Sequence, residues 1–447
     1  MTTKKILFTL ILIFLFAGCS NKEYVVDIKK PYNINDQLEI KDTKNIYIKE
    51  KEISKLEFNE KEKEFFNILK NDSYASLCAS KDKFIQIENS INNKERKNLL
   101  EELFYEYANN LVNSCIDINS LKKQLEKKEY KDKKQFYEIY TKSLNKEELY
   151  KQYNSSTISI KDILTKYTPK HPDFFKFIKA LDKNKLNKLD YKKLRLNIER
   201  LKLLKNYDAS NFIQLNIPSY NFSLYENGIN VKSFGTVVGS VEDQTPILSS
   251  KLSYFIVNPT WNIPDSIAKK SIIPKALKDK NYLRKKNIVI RKNYKLDSEK
   301  IKFKNVKWKQ YLKDDVKYIP YKFIQLPSST NGMGRIKYMF KNDYAVYMHD
   351  TMGTWRFKSN KEKIRFVSHG CVRLEHPVSL MKYISEKYTN KSYSAVRKIY
   401  DSSQTASISL NKKLPLHITY ITSYIKNGEV KFYNDPYGYD KIQKLNF

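Results

Sequence analysis

Residues 347–377 read YMHDTMGTWRFKSNKEKIRFVSHGCVRLEHP, and the rest of the chain is best understood around them. They bring together His349, His369 and Cys371, so two of the five histidines lie within 22 positions of one cysteine. A nucleophilic thiol needs a group to take its proton, because the thiolate is the reactive form. A neutral imidazole can accept that proton and return it to a leaving amine. Gly370 lets the backbone before the cysteine approach a substrate closely. The N–H groups of Gly370 and Cys371 can then face an oxyanion. Zinc is the competing chemistry for His349, His369, Cys371 and His376, but a His-x-Cys pair without a second cysteine fits none of the usual ligand spacings. His376, followed by Pro377, reads as a turn residue. No metal or other cofactor is expected.

The run Ser368-His369-Gly370-Cys371-Val372-Arg373, preceded by His349, resembles the signature of the L,D-transpeptidases, the YkuD-type domains. The segments GRIKYMF (334–340), VYMHDT (346–351), PILSSK (246–251) and NPTWNIP (258–264) resemble the large, capped Gram-negative subgroup of that family. The resemblance covers roughly the C-terminal half. The spacer of 18 residues between His349 and Ser368 is slightly longer than in many members, and the extra length falls in the lysine-rich run 358–363, which reads as a surface loop.

The resemblance implies a cysteine acyltransferase acting on peptidoglycan stem peptides, as donor and acceptor. Cys371 would attack the third residue of a tetrapeptide and release D-alanine. Another stem's diamino acid would take up the acyl group as a 3→3 cross-link. The thioester intermediate follows from the Cys/His chemistry itself. His349 is the expected proton donor and acceptor, with His369 orienting the loop or lining the oxyanion site. Tyr347, two positions before His349, offers a hydroxyl or simply packs. Arg365 and Arg373 flank the signature, and one of them is expected to hold a stem carboxylate in a bidentate grip or to form a structural ion pair; Ser368 is counted with the substrate-binding residues. The rivals are an L,D-carboxypeptidase, in which water resolves the thioester, and an enzyme attaching a lipoprotein to peptidoglycan. The family also implies carbapenem acylation of Cys371.

At 447 residues the chain has room for two or three domains. It opens with Lys4-Lys5, a largely apolar run of eleven residues (6–16), and Ala17-Gly18-Cys19. That run is too short to span a bilayer, which takes about 20 residues, and reads as a secretory signal peptide (1–18). Cys19 resembles a lipobox cysteine, with Phe16 where leucine is usual. The expected location is therefore periplasmic, anchored to a membrane through lipidated Cys19. Ser20 in place of an inner-membrane aspartate points to the outer membrane. A formal charge of +34 would ordinarily suggest nucleic acid, but export and the even spread of lysine argue against it. Cys371 must remain a thiol, which leaves Cys78 and Cys115 as either a disulfide or two buried thiols.

Residues 19–51 read as a tether. From 52 to 207 the chain lacks glycine, is rich in lysine and glutamate, and carries apolar stripes at Leu99, Leu100, Leu103, Phe104, Tyr107, Leu111 and Cys115, and at Leu194, Ile198, Leu201 and Leu204. This spacing predicts an α-helical domain. The composition then changes: nine of the ten glycines and all three tryptophans follow residue 227. Strands are expected at 212–217, 220–225, 229–238, 252–257, 345–348, 415–424 and 430–433, with Asn227-Gly228 turning a hairpin. Residues 261–333 interrupt the series with a polar helix (267–282) and irregular chain; by resemblance they form a capping insertion. Helix returns at 378–388. The fold class is thus multidomain α+β: a helical domain, then a mainly-β (β-sandwich) L,D-transpeptidase domain over 208–447.

Overall fold

The structure is a computed structural model that describes residues 58–446, apart from 91, 128–136, 184, 206–209 and 360–361. The signal peptide, Cys19, the whole tether and the 207/208 boundary lie outside the described residues.

Among the described residues, eight α-helices lie in the N-terminal half: α1 (Glu60–Lys70), α2 (Lys81–Asn89), α3 (Asn93–Asn113), α4 (Ile118–Leu125), α5 (Lys146–Asn154), α6 (Ile160–Tyr167), α7 (Asp173–Lys183) and α8 (Lys188–Lys202). The start of α3 is set by Asn92, whose side chain accepts from the Lys94 and Glu95 N–H groups, filling donors that have no partner in the first turn. Its stripe buries Leu100, Leu103, Phe104, Tyr107 and Leu111 completely, a gross stabilisation on the order of 10 kcal/mol. Cys78 and Cys115 are joined as a disulfide with a Cα–Cα distance of 5.6 Å.

The C-terminal half is built on β1 (Phe212–Asn216), β2 (Asn221–Glu226), β3 (Ile229–Gly239), β4 (Leu248–Val257), β5 (Trp261–Ile263), β6 (Ile288–Arg291), β7 (Lys322–Gln325), β8 (Ile336–Phe340), β9 (Met348–His349), β10 (Phe366–Ser368), β11 (Val372–Leu374) and β12 (Ala406–Thr419). Its main sheet runs β10-β3-β11-β9-β8-β4-β12-β1-β2, and β2 also pairs with β3. The long β3 pairs with β2 through residues 229–235 and with β11 through Thr236 and Val237, so the sheet closes on itself, with the short β10 paired to β3 alone. Asn227 (φ 49°) and Gly228 (φ 76°) turn the β2–β3 hairpin, the positive-φ pair that a two-residue turn requires.

The insertion departs from expectation. Its helical part is present, running from Asp265–Ile267 through Ala268–Ile272 to Ile273–Lys278. The rest is ordered around a second sheet, β5-β7-β6, whose core includes Trp308, Ile263, Ile290 and Phe323. These strands are three or four residues long and sit among lysines, so no run of alternating residues announces them. The strand expected at 345–348 is likewise shifted: β9 is Met348–His349, and Ala345 has φ 55°.

The two halves share a core. The hairpin of β13 (Ser423–Lys426) and β14 (Glu429–Phe432) contributes Val430 and Phe432 to the helical cluster. Asn197 of α8 donates to Thr422 and Ser423 (2.9 and 2.7 Å), and Arg200 pairs with Asp440 at 2.7 Å. The apolar stripe of α8 therefore packs inward as expected. Its charged residues Arg195, Glu199, Arg200 and Lys202 are buried as well.

Candidate active site

Three adjacent strands place the signature residues. In β9, His349 lies opposite Lys337 of β8 (antiparallel) and Arg373 of β11 (parallel). Met348, Tyr338 and Val372 point into the core and are fully buried. By the two-residue period of strands, Lys337, His349 and Arg373 occupy the opposite face. Two residues back along the parallel pair come Tyr347 and Cys371, joined by a bond from the Val372 N–H to the Tyr347 carbonyl (3.1 Å). One sheet face thus collects Cys371, Tyr347, His349, Arg373 and Lys337.

Cys371 is the one free cysteine among the described residues and is half-buried. Its Sγ lies 3.9 Å from the Ala345 carbonyl. Burial pushes the thiol pKa up, while the Tyr347 backbone and hydroxyl, Lys337 and Arg373 pull it back. His349 is buried, and its Nδ1 lies 2.6 Å from the Asp350 carbonyl. A carbonyl only accepts, so Nδ1 carries the proton and Nε2 the lone pair. Burial first, then Arg373, drives the His349 pKa down to about 3, with the Asp350 and Met333 carbonyls opposing and Lys337 adding to the fall. No hydrogen bond joins Cys371 to His349; they are diagonal neighbours across β9 and β11, their Cα atoms roughly 8 Å apart by strand geometry. The Tyr347 and His349 ring centroids are 5.8 Å apart. Burial raises the Tyr347 pKa, so its phenol remains an O–H donor.

The loop before the nucleophile is organised differently from the expectation. Gly370 has φ +101°, and a Cβ there would meet only ordinary contacts, at 3.5 Å or more. The backbone angle is what calls for glycine. Its N–H is not available to an oxyanion, because it donates to Ser368 Oγ at 3.2 Å. Ser368 in turn donates to the Cys371 carbonyl at 2.6 Å and is 3% exposed. Ser368 therefore braces the loop. His369 is exposed and makes no hydrogen bond among the described residues; the hydrogen bonds that hold the loop come from Ser368. A second brace comes from outside the signature: Thr245 Oγ1 donates to the Gly370 carbonyl (2.8 Å), and Tyr437 donates to Gly239 and accepts from the Thr245 N–H (2.9 and 3.1 Å).

The two arginines separate. Arg365 donates to the Thr236 and Phe357 carbonyls (3.2 and 3.0 Å), in keeping with the structural alternative. Arg373 is half-buried on the cysteine's face with no hydrogen bond or ion pair among the described residues; burial and the nearby Arg356 lower its pKa. His376 is exposed and stands at the N-cap position of the helix Pro377–Tyr388, without a side-chain capping hydrogen bond. No group of three or more metal-binding side chains gathers among the described residues. Reading the sequence missed Lys337 and Arg356, since only strand register and loop packing bring them to the site.

Residues 210–396 match the model of the YkuD family, the L,D-transpeptidase catalytic domain. The match takes in every residue of the face just described. The chain is also 30% identical over 251 residues to a Haemophilus influenzae protein named "Putative L,D-transpeptidase". That alignment covers 56% of this chain and 48% of the relative, so the chain spans about half the length of the relative. Two solved structures align at low similarity. The Ldtfm-avibactam carbamoyl enzyme has TM-score 0.22 and 9% identity over 47% of this chain and 48% of its own. An L,D-transpeptidase from Mycobacterium smegmatis has TM-score 0.21 and 13% identity over 47% and 59%. The YkuD match takes in β1–β11 with the insertion, and leaves the helical half and β12 outside.

Proposed function

We propose that this protein is a peptidoglycan L,D-transpeptidase that forms 3→3 cross-links through a thioester on Cys371. The observation that carries the reading is the single sheet face, within the YkuD match, that holds a free half-buried thiol beside a neutral imidazole and an unpaired arginine. Cys371 Sγ attacks the carbonyl of the third stem residue while its proton passes to His349, and D-alanine leaves with a proton returned to its amine. The Cys371 N–H, which has no partner among the described residues, and the Tyr347 hydroxyl stabilise the oxyanion. Arg373 holds a stem carboxylate. A second stem's side-chain amine then resolves the thioester. The protein works in the periplasm, anchored through Cys19, with stem peptides as its partners and no nucleic acid.

The test is incubation of the pure protein with tetrapeptide muropeptides and mass analysis of the products. Cross-linked dimers with loss of D-alanine, absent with Cys371→Ser, are expected. Tripeptides without dimers would make it an L,D-carboxypeptidase instead. Unchanged turnover by Cys371→Ser would overturn the nucleophile.

A further inference from the structure

Where this chain buries a lysine elsewhere, it supplies partners. Lys202 donates to Glu199 at 3.0 Å, to Ser76 Oγ at 3.2 Å and to the Ala75 carbonyl at 2.5 Å. Lys337 is treated differently. It is half-buried in β8, directly opposite His349, and no carboxylate pairs with it among the described residues. Its Nζ lies 3.6 Å from the centre of the Tyr347 ring, the aromatic that stands beside Cys371. The groups facing it are Ile256 from β4, Tyr347 and His349 from β9, and Cys371 and Arg373 from β11, with Arg356 beyond Arg373. Lys337, Arg373 and Arg356 thus form a group of three cations with no carboxylate paired to Lys337 or Arg373 among the described residues, so the anion they await is either a ligand or the thiolate itself.

We propose that Lys337 is the counter-charge of the Cys371 thiolate, seated against the Tyr347 ring, and that the enzyme holds its thiolate with lysine and arginine beside a neutral imidazole. A thiolate in a partly buried site needs compensating charge. His349 is poorly placed to give it at rest, because burial and these same cations disfavour the imidazolium. Burial, the largest influence on both groups, lowers the Lys337 pKa and raises that of the Cys371 thiol, and against it each favours the charged form of the other; a cation over an aromatic face is held there by the ring quadrupole. In the ionisation the S–H bond breaks, the electron pair stays on Sγ, and the proton leaves to solvent at rest or to His349 during acylation. Lys337 keeps its protons throughout. It is a positioning residue for charge. The proposal rests on Cys371 being the nucleophile, but its first readout, alkylation, needs no substrate.

The experiment is the pH dependence of Cys371 alkylation by iodoacetamide in the full-length protein, read by peptide mapping, for wild type, Lys337→Met and Lys337→Arg. Loss of the charge is expected to move the midpoint up by about one unit, slowing alkylation at neutral pH about tenfold. Lys337→Arg should restore the rate to within about threefold of wild type. Where methionine impairs folding by circular dichroism, Lys337→Gln takes its place. A midpoint unchanged in a folded neutral variant overturns the proposal. So does a variant in which only KM for muropeptides rises, since that result would assign Lys337 to a substrate carboxylate. Inactivity of the wild type on muropeptides with a shifted alkylation midpoint would instead refute the transpeptidase reading and leave Lys337 in place.

Discussion

Ser368→Ala removes one buried hydroxyl and no backbone atom, which makes it a clean probe of the catalytic loop. Two hydrogen bonds go with it, the Gly370 N–H to Oγ and Oγ to the Cys371 carbonyl. Each is worth about 1 kcal/mol net, and a buried N–H left without an acceptor costs about 1–3 kcal/mol. Gly370, at φ +101°, is free to relax once released, because glycine occupies many backbone states. The loop therefore loses about 2–3 kcal/mol of preference for its working shape, and acylation should slow by about 30- to 150-fold. The bonds are local, so the closed sheet and its core remain. The assay pairs the rate of single-turnover acylation with a thermal melt and with the circular dichroism spectrum. Slow acylation by a folded protein is expected. Acylation within about threefold of wild type would show that the Ser368 brace does not hold the nucleophile.

His349→Ala should collapse acylation, because it removes the buried imidazole on the cysteine's face, while His369→Ala, whose ring is exposed and unbonded, should cost less than about threefold; stopped-flow acylation of both checks the ranking. Replacing Cys78 and Cys115 together with alanine opens a 37-residue connection and should lower stability by about 4 kcal/mol on the chain-entropy account. Urea unfolding would measure it, and Cys371 alkylation should be unaffected. His349 and His417 both have folded pKa values pushed down to about 3, chiefly by burial. The unfolded chain takes up these protons near pH 6.5 and the folded chain does not, so stability present above that pH is lost as pH falls from about 6.5 towards 3. His417→Asn, which keeps a partner for Ser249 (2.8 Å from His417 Nδ1), should remove one proton from that dependence in denaturation measured across the window.

Much of this molecule was legible in one dimension, for physical reasons that can be named. The helical half follows from period-3.6 stripes such as Leu100 to Leu111 and the absence of glycine, since local spacing alone decides which face of a helix is apolar. The β2–β3 hairpin follows from Asn227-Gly228, because few residues accept positive φ. Cys371 and His349 stand out as a chemical pair in a short, distinctive run. Only the tertiary structure decided the rest. The strands of the insertion are too short to show a period. Ser368, His369 and Arg365 look alike as polar neighbours of a nucleophile. Which of them braces the loop, faces water or ties down a strand depends on the backbone groups folded against each. The charges of α8 are buried through segments distant in sequence: Arg195, Glu199 and Lys202 against residues 72–76 and Cys115, and Arg200 against Gln443 and Asp440 of the C-terminal tail. Lys337, 34 residues before Cys371 in the sequence, reaches the thiol's neighbourhood through the pairing of β8, β9 and β11. Strand register is a relation between distant segments, and no local pattern of residues contains it.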